Sequence, residues 1–195
     1  MHHLISIPIL SVMQNVRRCD IGILTGIYEN RIQLLDPVFI FITNTAAVIA
    51  FGLPVLLLLF SFKTKNAGIR RNALMILVPV ILSAIIANIL KYTFDMPRPY
   101  EIYPFIVKLS SGGSPSFPSG HTTDAFAFAI AVSLVYSKWY IVIPVLIWAS
   151  LVGYSRMCLG VHFPTDVLVG AIIGFACSYG YISFIRKKYL KSAKA

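Results

Sequence analysis

Long apolar runs separated by short polar segments dominate this chain. Five of these runs, at about residues 37–62, 73–94, 121–137, 139–154 and 165–185, approach the ~20 residues that a helix needs to cross a bilayer. Basic residues, prolines, glycines and serines lie between them. The pattern therefore predicts an all-α fold, a polytopic transmembrane helix bundle of about five spans.

The first 36 residues do not repeat this pattern. Residues 4–13 are apolar but too short to span, and Arg17 and Asp20 follow them. A cleaved signal peptide carries its positive charges before its apolar core, not after it. We therefore predict that residues 1–36 form an interfacial, partly helical segment, and a sixth span is the alternative.

We predict one domain over residues 1–195. The transmembrane core is residues 37–185, and residues 186–195 are a basic cytoplasmic tail. The longest polar stretch, at about 95–120, is rich in Pro, Gly and Ser and is typical of a loop. We expect a short helix within it at 102–109.

Composition supports a membrane protein and excludes a typical soluble one. The chain is 57% hydrophobic and only 12% charged, whereas soluble domains are about a quarter charged. The net charge of +10 does not indicate nucleic-acid binding, because no basic helix interleaved with aromatic residues occurs. Cys19, Cys158 and Cys177 have neither paired nor metal-binding spacing.

The basic residues predict the topology. Ten of the seventeen lie in the 63–71 loop, at Lys138 or in the C-terminal tail, and basic loops face the cytoplasm. The 95–120 and 155–164 loops then share the extracytoplasmic side. With five spans, the N-terminus lies on that side too.

These two extracytoplasmic loops and the adjoining span ends contain most of the residues capable of chemistry. Lys91, Arg98 and Arg156 are cations that can surround a phosphate, and Arg offers paired donors that match its oxygens. Taken singly, Lys91 is also explained as an interfacial anchor and Arg98 as a solvated loop charge. Phosphoryl transfer depends mostly on positioning and electrostatic stabilisation, which such a set could supply.

Pro118-Ser119-Gly120-His121 leads directly into the third apolar run. Gly120 allows close backbone approach, and a helix N-terminus suits an anion. Ser119 adds a hydroxyl donor, and His121 is placed to act as a general acid. Ordinary helix capping by Ser119 is the alternative interpretation.

Ser155-Arg156 ends the fourth run, and His162 and Asp166 begin the fifth. Asp166 follows His162 by four residues, so the carboxylate can orient the imidazole and raise its basicity. His162 is then a candidate nucleophile toward phosphorus. A structural His–Asp hydrogen bond and a metal site are the alternatives. We do not favour a metal, because only His121, His162 and Asp166 are good ligands and three cations lie nearby.

The three motifs together resemble the type 2 phosphatidic acid phosphatase superfamily. The first motif of this superfamily is a Lys followed, after six residues, by Arg-Pro, and the second is Pro-Ser-Gly-His. The third is Ser-Arg, then five residues, a His, three residues and an Asp. This chain matches every element between residues 91 and 166. The resemblance implies an α-helical membrane phosphatase that forms a phosphohistidine without a metal or other cofactor. It implies these site residues: His162 as nucleophile, Asp166 as its orienter, His121 as acid, and Lys91, Arg98, Ser119, Gly120 and Arg156 as the phosphate cradle.

We therefore expect an integral membrane lipid phosphatase in a bacterial inner membrane, with its site on the periplasmic or extracytoplasmic face. Its partners would be the bilayer and a lipid phosphate, not nucleic acid. Candidate substrates are undecaprenyl diphosphate, phosphatidylglycerol phosphate, phosphatidic acid and lipid A phosphate, and family analogy slightly favours the first. A lipid phosphotransferase using the same site and a non-catalytic lipid carrier or transporter are the alternatives; a vanadium haloperoxidase, also in the superfamily, is not favoured.

Overall fold

The computed structural model describes the backbone of residues 6–192 and the side chains of residues 17–188. These residues form helices joined by turns and loops, with no strand among them. The prediction of an all-α bundle is confirmed. The helices are α1 (Ser6–Glu29), α2 (Asp36–Ala47), α3 (Leu53–Lys63), α4 (Ala67–Phe94), α5 (Pro99–Ile102), α6 (Gly120–Tyr136), α7 (Trp139–Cys158) and α8 (Pro164–Ser192).

Four helical segments of the described chain are long and apolar enough to cross a membrane: Gln33–Lys63, Ala67–Ile102, Trp139–Cys158 and Pro164–Lys188. The remaining predicted span, at about residues 121–137, corresponds to α6, which has 17 residues and a length of about 25 Å. Helix α6 packs most extensively against α8, and then against α7 and α4. Helix α6 is therefore the centre of the bundle.

The first predicted span contains a local change of helix type. Helices α2 and α3 are joined without a break by a π-helical turn at Val48–Gly52. Pro54 follows at the start of α3. A proline removes one hydrogen bond and crowds the carbonyl four residues earlier, and a wider turn relieves that crowding.

Two glycines on α8 permit its close contact with α6. A Cβ atom on Gly174 would lie 2.6 Å from the Ala127 nitrogen and from the Thr123 oxygen. A Cβ atom on Gly170 would lie 2.8 Å from the Ser119 oxygen. Small residues at this spacing allow helix backbones to approach closely in a membrane. The contact places the start of α8 beside the start of α6.

The outer surface of the bundle carries many large apolar side chains. Large exposed side chains such as Leu56, Ile89 and Phe184 are 60% or more accessible. A soluble protein rarely leaves such extensive apolar surface in water. This surface is suited to contact with lipid acyl chains.

The long polar loop contains a helix, but not where the sequence predicted it. The expected helix at 102–109 is wrong, because α5 occupies Pro99–Ile102 and residues 103–119 are not helical. Pro99 suits a first helical turn, and the Glu101 side chain accepts a hydrogen bond from the Arg98 amide. Tyr103 is extended because it precedes Pro104, which disfavours helical backbone at that position.

The N-terminal segment was predicted to be partly helical. It forms a helix of 24 residues that contacts α7 and α8. Its Leu24 and Tyr28 are buried with Ile106 of the long loop. Asp20 accepts hydrogen bonds from the amide and the hydroxyl of Thr165, at the start of α8. Helix α1 therefore braces both the long loop and α8, and its placement relative to the membrane stays a prediction.

Candidate active site

Four helix ends and the long loop enclose one polar cavity of about 340 Å³. The C-terminal ends of α4 and α7 and the N-terminal ends of α6 and α8 meet there. Six of the eight predicted site residues line it, so the three sequence motifs form one composite site. The lining residues are Lys91, Arg98, Ser111, Gly112, Gly113, Ser114, Gly120, His121, Asp124, Arg156 and His162.

Backbone carbonyls hold two of the three cations in place. The Lys91 ammonium donates to the Pro115 carbonyl at 2.7 Å. The Arg98 guanidinium donates through Nε to Ser114 and through an Nη atom to Val161, both at 2.9 Å. Both side chains are buried, at 6% and 3% exposure. Carbonyls orient a cation without neutralising its charge, so both remain available to an anion.

Gly112 is required for the loop to cover Arg98. A Cβ atom on Gly112 would lie 2.6 Å from a guanidinium nitrogen of Arg98, too close for any side chain. The Gly112 carbonyl also accepts a hydrogen bond from the Tyr100 hydroxyl at 3.1 Å. The loop is thus fixed against α5 while its backbone passes directly over the guanidinium.

The third cation, Arg156, is held from a different direction. One terminal nitrogen donates to the Thr43 hydroxyl at 2.7 Å, and the other donates to the Ser111 carbonyl at 3.1 Å. Its Nε is buried and has no hydrogen-bond partner. Sequence reasoning missed Thr43, because a threonine within an apolar run carries no signal of a site one helix away.

His162 and Asp166 form the pair that the spacing predicted. The Nδ1 atom of His162 lies 3.3 Å from Oδ2 of Asp166, and the residues are 1% and 2% exposed. On the opposite side of the ring, Nε2 lies 3.3 Å from a guanidinium nitrogen of Arg98. Because Nδ1 is the atom next to the carboxylate, Nε2 is the atom directed toward the cations.

The surroundings of His162 keep its imidazole neutral. Burial lowers the pKa of His162 well below its ordinary value of 6.5, and the positive charges of Arg156, Arg98 and Lys91 lower this pKa further. A neutral imidazole that donates through Nδ1 has an unprotonated Nε2, whose lone pair faces the Arg98 guanidinium. That lone pair is what a nucleophile requires.

Ser116 also belongs to this group, and sequence reasoning missed it. Its hydroxyl donates to Oδ2 of Asp166 at 2.5 Å and lies 3.5 Å from Nδ1 of His162. The Phe163 amide donates to the same carboxylate oxygen at 2.9 Å. One serine among several in a loop gives no sequence signal. Asp166 is thus held by the chain on both sides of His162.

The Ser-Gly-His motif begins α6 at the cavity. Gly120 and His121 line the cavity, whereas Ser119 is fully buried and is not among the lining residues. Ser119 is the N-cap of α6 without a capping hydrogen bond from its side chain, and its hydroxyl oxygen accepts from Thr122 at 2.9 Å. The Ser119 amide donates to the Asp166 carbonyl at 3.0 Å, which connects the second and third motifs.

Asp124 is a further cavity residue that the sequence analysis did not select. It lies one helical turn after His121, and its Oδ1 is buried without a hydrogen-bond partner. A signal was available, because a carboxylate inside an apolar span is costly and rarely lacks a function. Its position three residues after His121 also places both on one face of α6.

The arrangement has the parts needed for phosphoryl transfer. Three buried cations and the first amides of α6 can surround an anion. A neutral imidazole held by a carboxylate can attack, and the second imidazole can transfer a proton. No cluster of three or more His, Cys, Asp and Glu side chains able to hold a metal occurs among the described residues.

Comparison with known proteins agrees with this site. Residues 72–190, more than half of the chain, match the family model for the PAP2 superfamily. An undecaprenyl-diphosphatase of Bacillus subtilis, BcrC, is 33% identical over 73% of this chain and 73% of its own length. A lipid A 4'-phosphatase of Porphyromonas gingivalis is 30% identical over 80% of this chain and 67% of its own length.

A solved structure shows the same fold. The crystal structure of a transmembrane PAP2-type phosphatidylglycerolphosphate phosphatase from Bacillus subtilis superposes with a TM-score of 0.75 at 25% identity. The match covers 89% of this chain and 87% of that one. With the motifs, the shared fold and the family match in agreement, this chain belongs to the PAP2 superfamily and is an integral membrane lipid phosphatase.

Proposed function

We propose that this phosphatase removes the terminal phosphate of a lipid headgroup through a phosphohistidine on His162, and that its substrate is undecaprenyl diphosphate. The observation that carries the proposal is the environment of His162. Its Nδ1 faces Asp166, whereas its Nε2 faces the cavity and Arg98. A ring held in this way has one nitrogen oriented by a carboxylate and the other free to attack.

The proposed reaction has two steps. In the first, the Nε2 lone pair of His162 attacks phosphorus, and the bond between phosphorus and the lipid oxygen breaks. His121 gives its proton to that departing oxygen. In the second, water attacks the phosphohistidine, the P–N bond breaks, and inorganic phosphate leaves. His121 recovers a proton from the attacking water.

Lys91, Arg98 and Arg156 supply the electrostatic part of catalysis. They line the cavity around His162 and can compensate the charge that develops on the phosphoryl oxygens. We propose that these cations act without a metal ion. Activity is therefore expected to survive EDTA, and a full loss that a divalent ion restores would contradict this part of the proposal.

The substrate proposal is supported by similarity and by surface chemistry. BcrC matches over nearly three quarters of both chains and is named an undecaprenyl-diphosphatase. The apolar exterior next to the site is suited to a long prenyl chain. The lipid A and phosphatidylglycerolphosphate relatives make those two lipids the alternatives to test.

A phosphate-release panel tests the function directly. Purified full-length protein in detergent micelles is given undecaprenyl diphosphate, phosphatidylglycerol phosphate, phosphatidic acid and lipid A. We expect the highest kcat/KM with undecaprenyl diphosphate. Equal or greater kcat/KM with another lipid would overturn the substrate proposal, and no release from any of the four would overturn the reaction.

We further propose that the protein lies in a bacterial inner membrane with the site on the extracytoplasmic side. Basic residues of the α3–α4 turn, Lys138 and the end of α8 support this orientation. The test is labelling of single cysteines at Gly113→Cys, where a side chain meets no atom within 4 Å, and at Lys138→Cys, after the native cysteines are replaced. An impermeant thiol reagent added to intact cells should label position 113 only. Labelling of 138 instead would reverse the orientation.

A further inference from the structure

Two buried side-chain atoms in the described part of the chain have no hydrogen-bond partner, and both belong to residues that line the cavity. They are Oδ1 of Asp124 and Nε of Arg156. Buried polar groups in folded proteins are nearly always paired. Unpaired atoms of cavity-lining residues are therefore places where a bound ligand can supply the missing partner.

The two atoms require opposite partners. The Nε–H of Arg156 is a donor and needs an acceptor oxygen. An ionised Asp124 can only accept, so Oδ1 needs a ligand atom that carries a proton. A tetrahedral phosphate with one hydroxyl oxygen and other bare oxygens could satisfy both atoms at once.

No side chain of the described residues forms an ion pair with Asp124. The ion pairs found among the described residues are Arg31–Asp36 and His162–Asp166, and neither involves Asp124. Lys91 lines the same cavity, but its ammonium is hydrogen-bonded to the Pro115 carbonyl. A bare phosphate oxygen placed against an ionised Asp124 would therefore meet a buried carboxylate that has no ion-pair partner.

We propose that Asp124 is a specificity-determining residue, which accepts a hydrogen bond from a protonated phosphate oxygen and rejects tetrahedral dianions that have no proton to donate. This inference rests on the proposed function, because it concerns the phosphate that the same site binds. Arg156 binds a bare oxygen of that phosphate through Nε. The recognised chemistry is shared by a lipid headgroup phosphate and by inorganic phosphate.

The first arm of the test compares inorganic phosphate with sulfate. At about pH 8 the main form of each carries two negative charges, but only phosphate keeps a hydroxyl group. Titration calorimetry with the purified full-length protein should show phosphate binding at least about tenfold more tightly than sulfate, as a hydrogen bond to a charged group predicts. Asp124→Asn offers an amide donor in place of the carboxylate and should reduce the ratio of phosphate affinity to sulfate affinity to near one.

The second arm uses a lipid headgroup. At about pH 7.5, where a small fraction of a phosphate monoester still carries a proton, sulfate is added as a competitor during phosphate release from phosphatidic acid. Sulfate should inhibit Asp124→Asn at a concentration about tenfold lower than it inhibits the unaltered protein. A change in the first arm alone would limit the inference to free phosphate and overturn it for the headgroup.

Two further variants separate specificity from folding. Asp95→Asn changes an exposed carboxylate at the end of α4. It should leave unchanged both the preference for phosphate over sulfate and the concentration at which sulfate inhibits. Asp124→Ala removes the carboxylate without adding a donor and should also reduce the preference for phosphate. If neither Asp124 variant folds, the unaltered protein still decides, because equal binding of phosphate and sulfate by it contradicts the proposal.

The outcomes also separate this inference from the proposed function. A protein that releases phosphate from lipids but binds phosphate and sulfate equally keeps its function and loses the role assigned to Asp124. If Asp124→Asn weakens the binding of phosphate and of sulfate equally, the residue has a merely structural role and the proposal is overturned. A protein that binds phosphate selectively yet releases none from any lipid would overturn the function and leave the anion selectivity standing.

Discussion

Two carboxylates of the site differ in how the protein surrounds them: Asp166, which contacts His162, and Asp124, which lines the cavity. Oδ2 of Asp166 is contacted by the Ser116 hydroxyl, the Phe163 amide and Nδ1 of His162. Oδ1 of Asp124 has no partner. A carboxylate oxygen contacted by several protein groups is suited to hold one of them in place, whereas an oxygen without a protein partner is available to a ligand. This difference in hydrogen bonding is the basis for proposing a positioning role for Asp166 and a binding role for Asp124.

The largest expected effect comes from removing the group that Asp166 holds. His162→Ala should abolish phosphate release, because no other neutral imidazole in the cavity is paired with a carboxylate among the described residues. The loss is measured as the rate of phosphate release by the purified variant. The control is Lys138→Ala, at the opposite end of the bundle. Turnover close to that of the control would end the assignment of His162 as nucleophile.

The next largest effect is expected from Asp166→Asn. The amide keeps the shape but favours the wrong imidazole tautomer, and comparable pairs lose on the order of 10⁴-fold in kcat. We expect kcat to fall far more than KM changes, since Asp166 does not line the cavity. Steady-state kinetics separate the two constants. A change confined to KM would place Asp166 in substrate binding and remove its contrast with Asp124.

A smaller effect is expected from Ser116→Ala. The hydroxyl supplies one of the hydrogen bonds to Asp166, and a bond to a charged group contributes about 1.5–3 kcal/mol. We expect kcat to fall roughly tenfold or more, and the protein should remain folded. The matched control is Ser137→Ala, an exposed serine at the distal end of α6. Equal activity of the two variants would show that Asp166 is held without Ser116.

The smallest effect concerns pH. The pKa of His162 is lowered well below 6.5, so its protonation should not reduce kcat/KM as the pH falls from about 7.5 to 6.5. Below about 6.5 the unfolded chain binds a proton at this histidine that the folded chain does not, so stability falls with decreasing pH. His162→Gln should therefore lose less thermal stability than the unaltered protein between about pH 7.5 and 5. An equal loss in both would show that other groups dominate the acid sensitivity.

Much of the site could be predicted because its chemistry is local in sequence. His162 and Asp166 are four residues apart, and Gly120 and His121 begin a helix, so short-range geometry places them. The loop-charge pattern then brought the three motifs to one end of the bundle. The predicted helix at 102–109 failed because the residue preceding Pro104 cannot easily remain helical, a local signal that outweighed the apolar pattern.

Other parts of the site depend on contacts between distant segments. Thr43 lies on α2, far from Arg156 in sequence, and Ser116 is one of several serines in its loop. Asp20 of α1 holds the start of α8 through Thr165. No spacing rule links these pairs, because they meet only after the helices pack.

The sequence by itself determined that the chain is helical, apolar and embedded in a membrane, and that its three motifs share one end. Run length, helical spacing and loop charge are local properties, and they suffice for those conclusions. Only the tertiary structure decided that Oδ2 of Asp166 has three partners while Oδ1 of Asp124 has none. The number of partners depends on which atoms from other elements lie within hydrogen-bonding distance, and packing sets those distances.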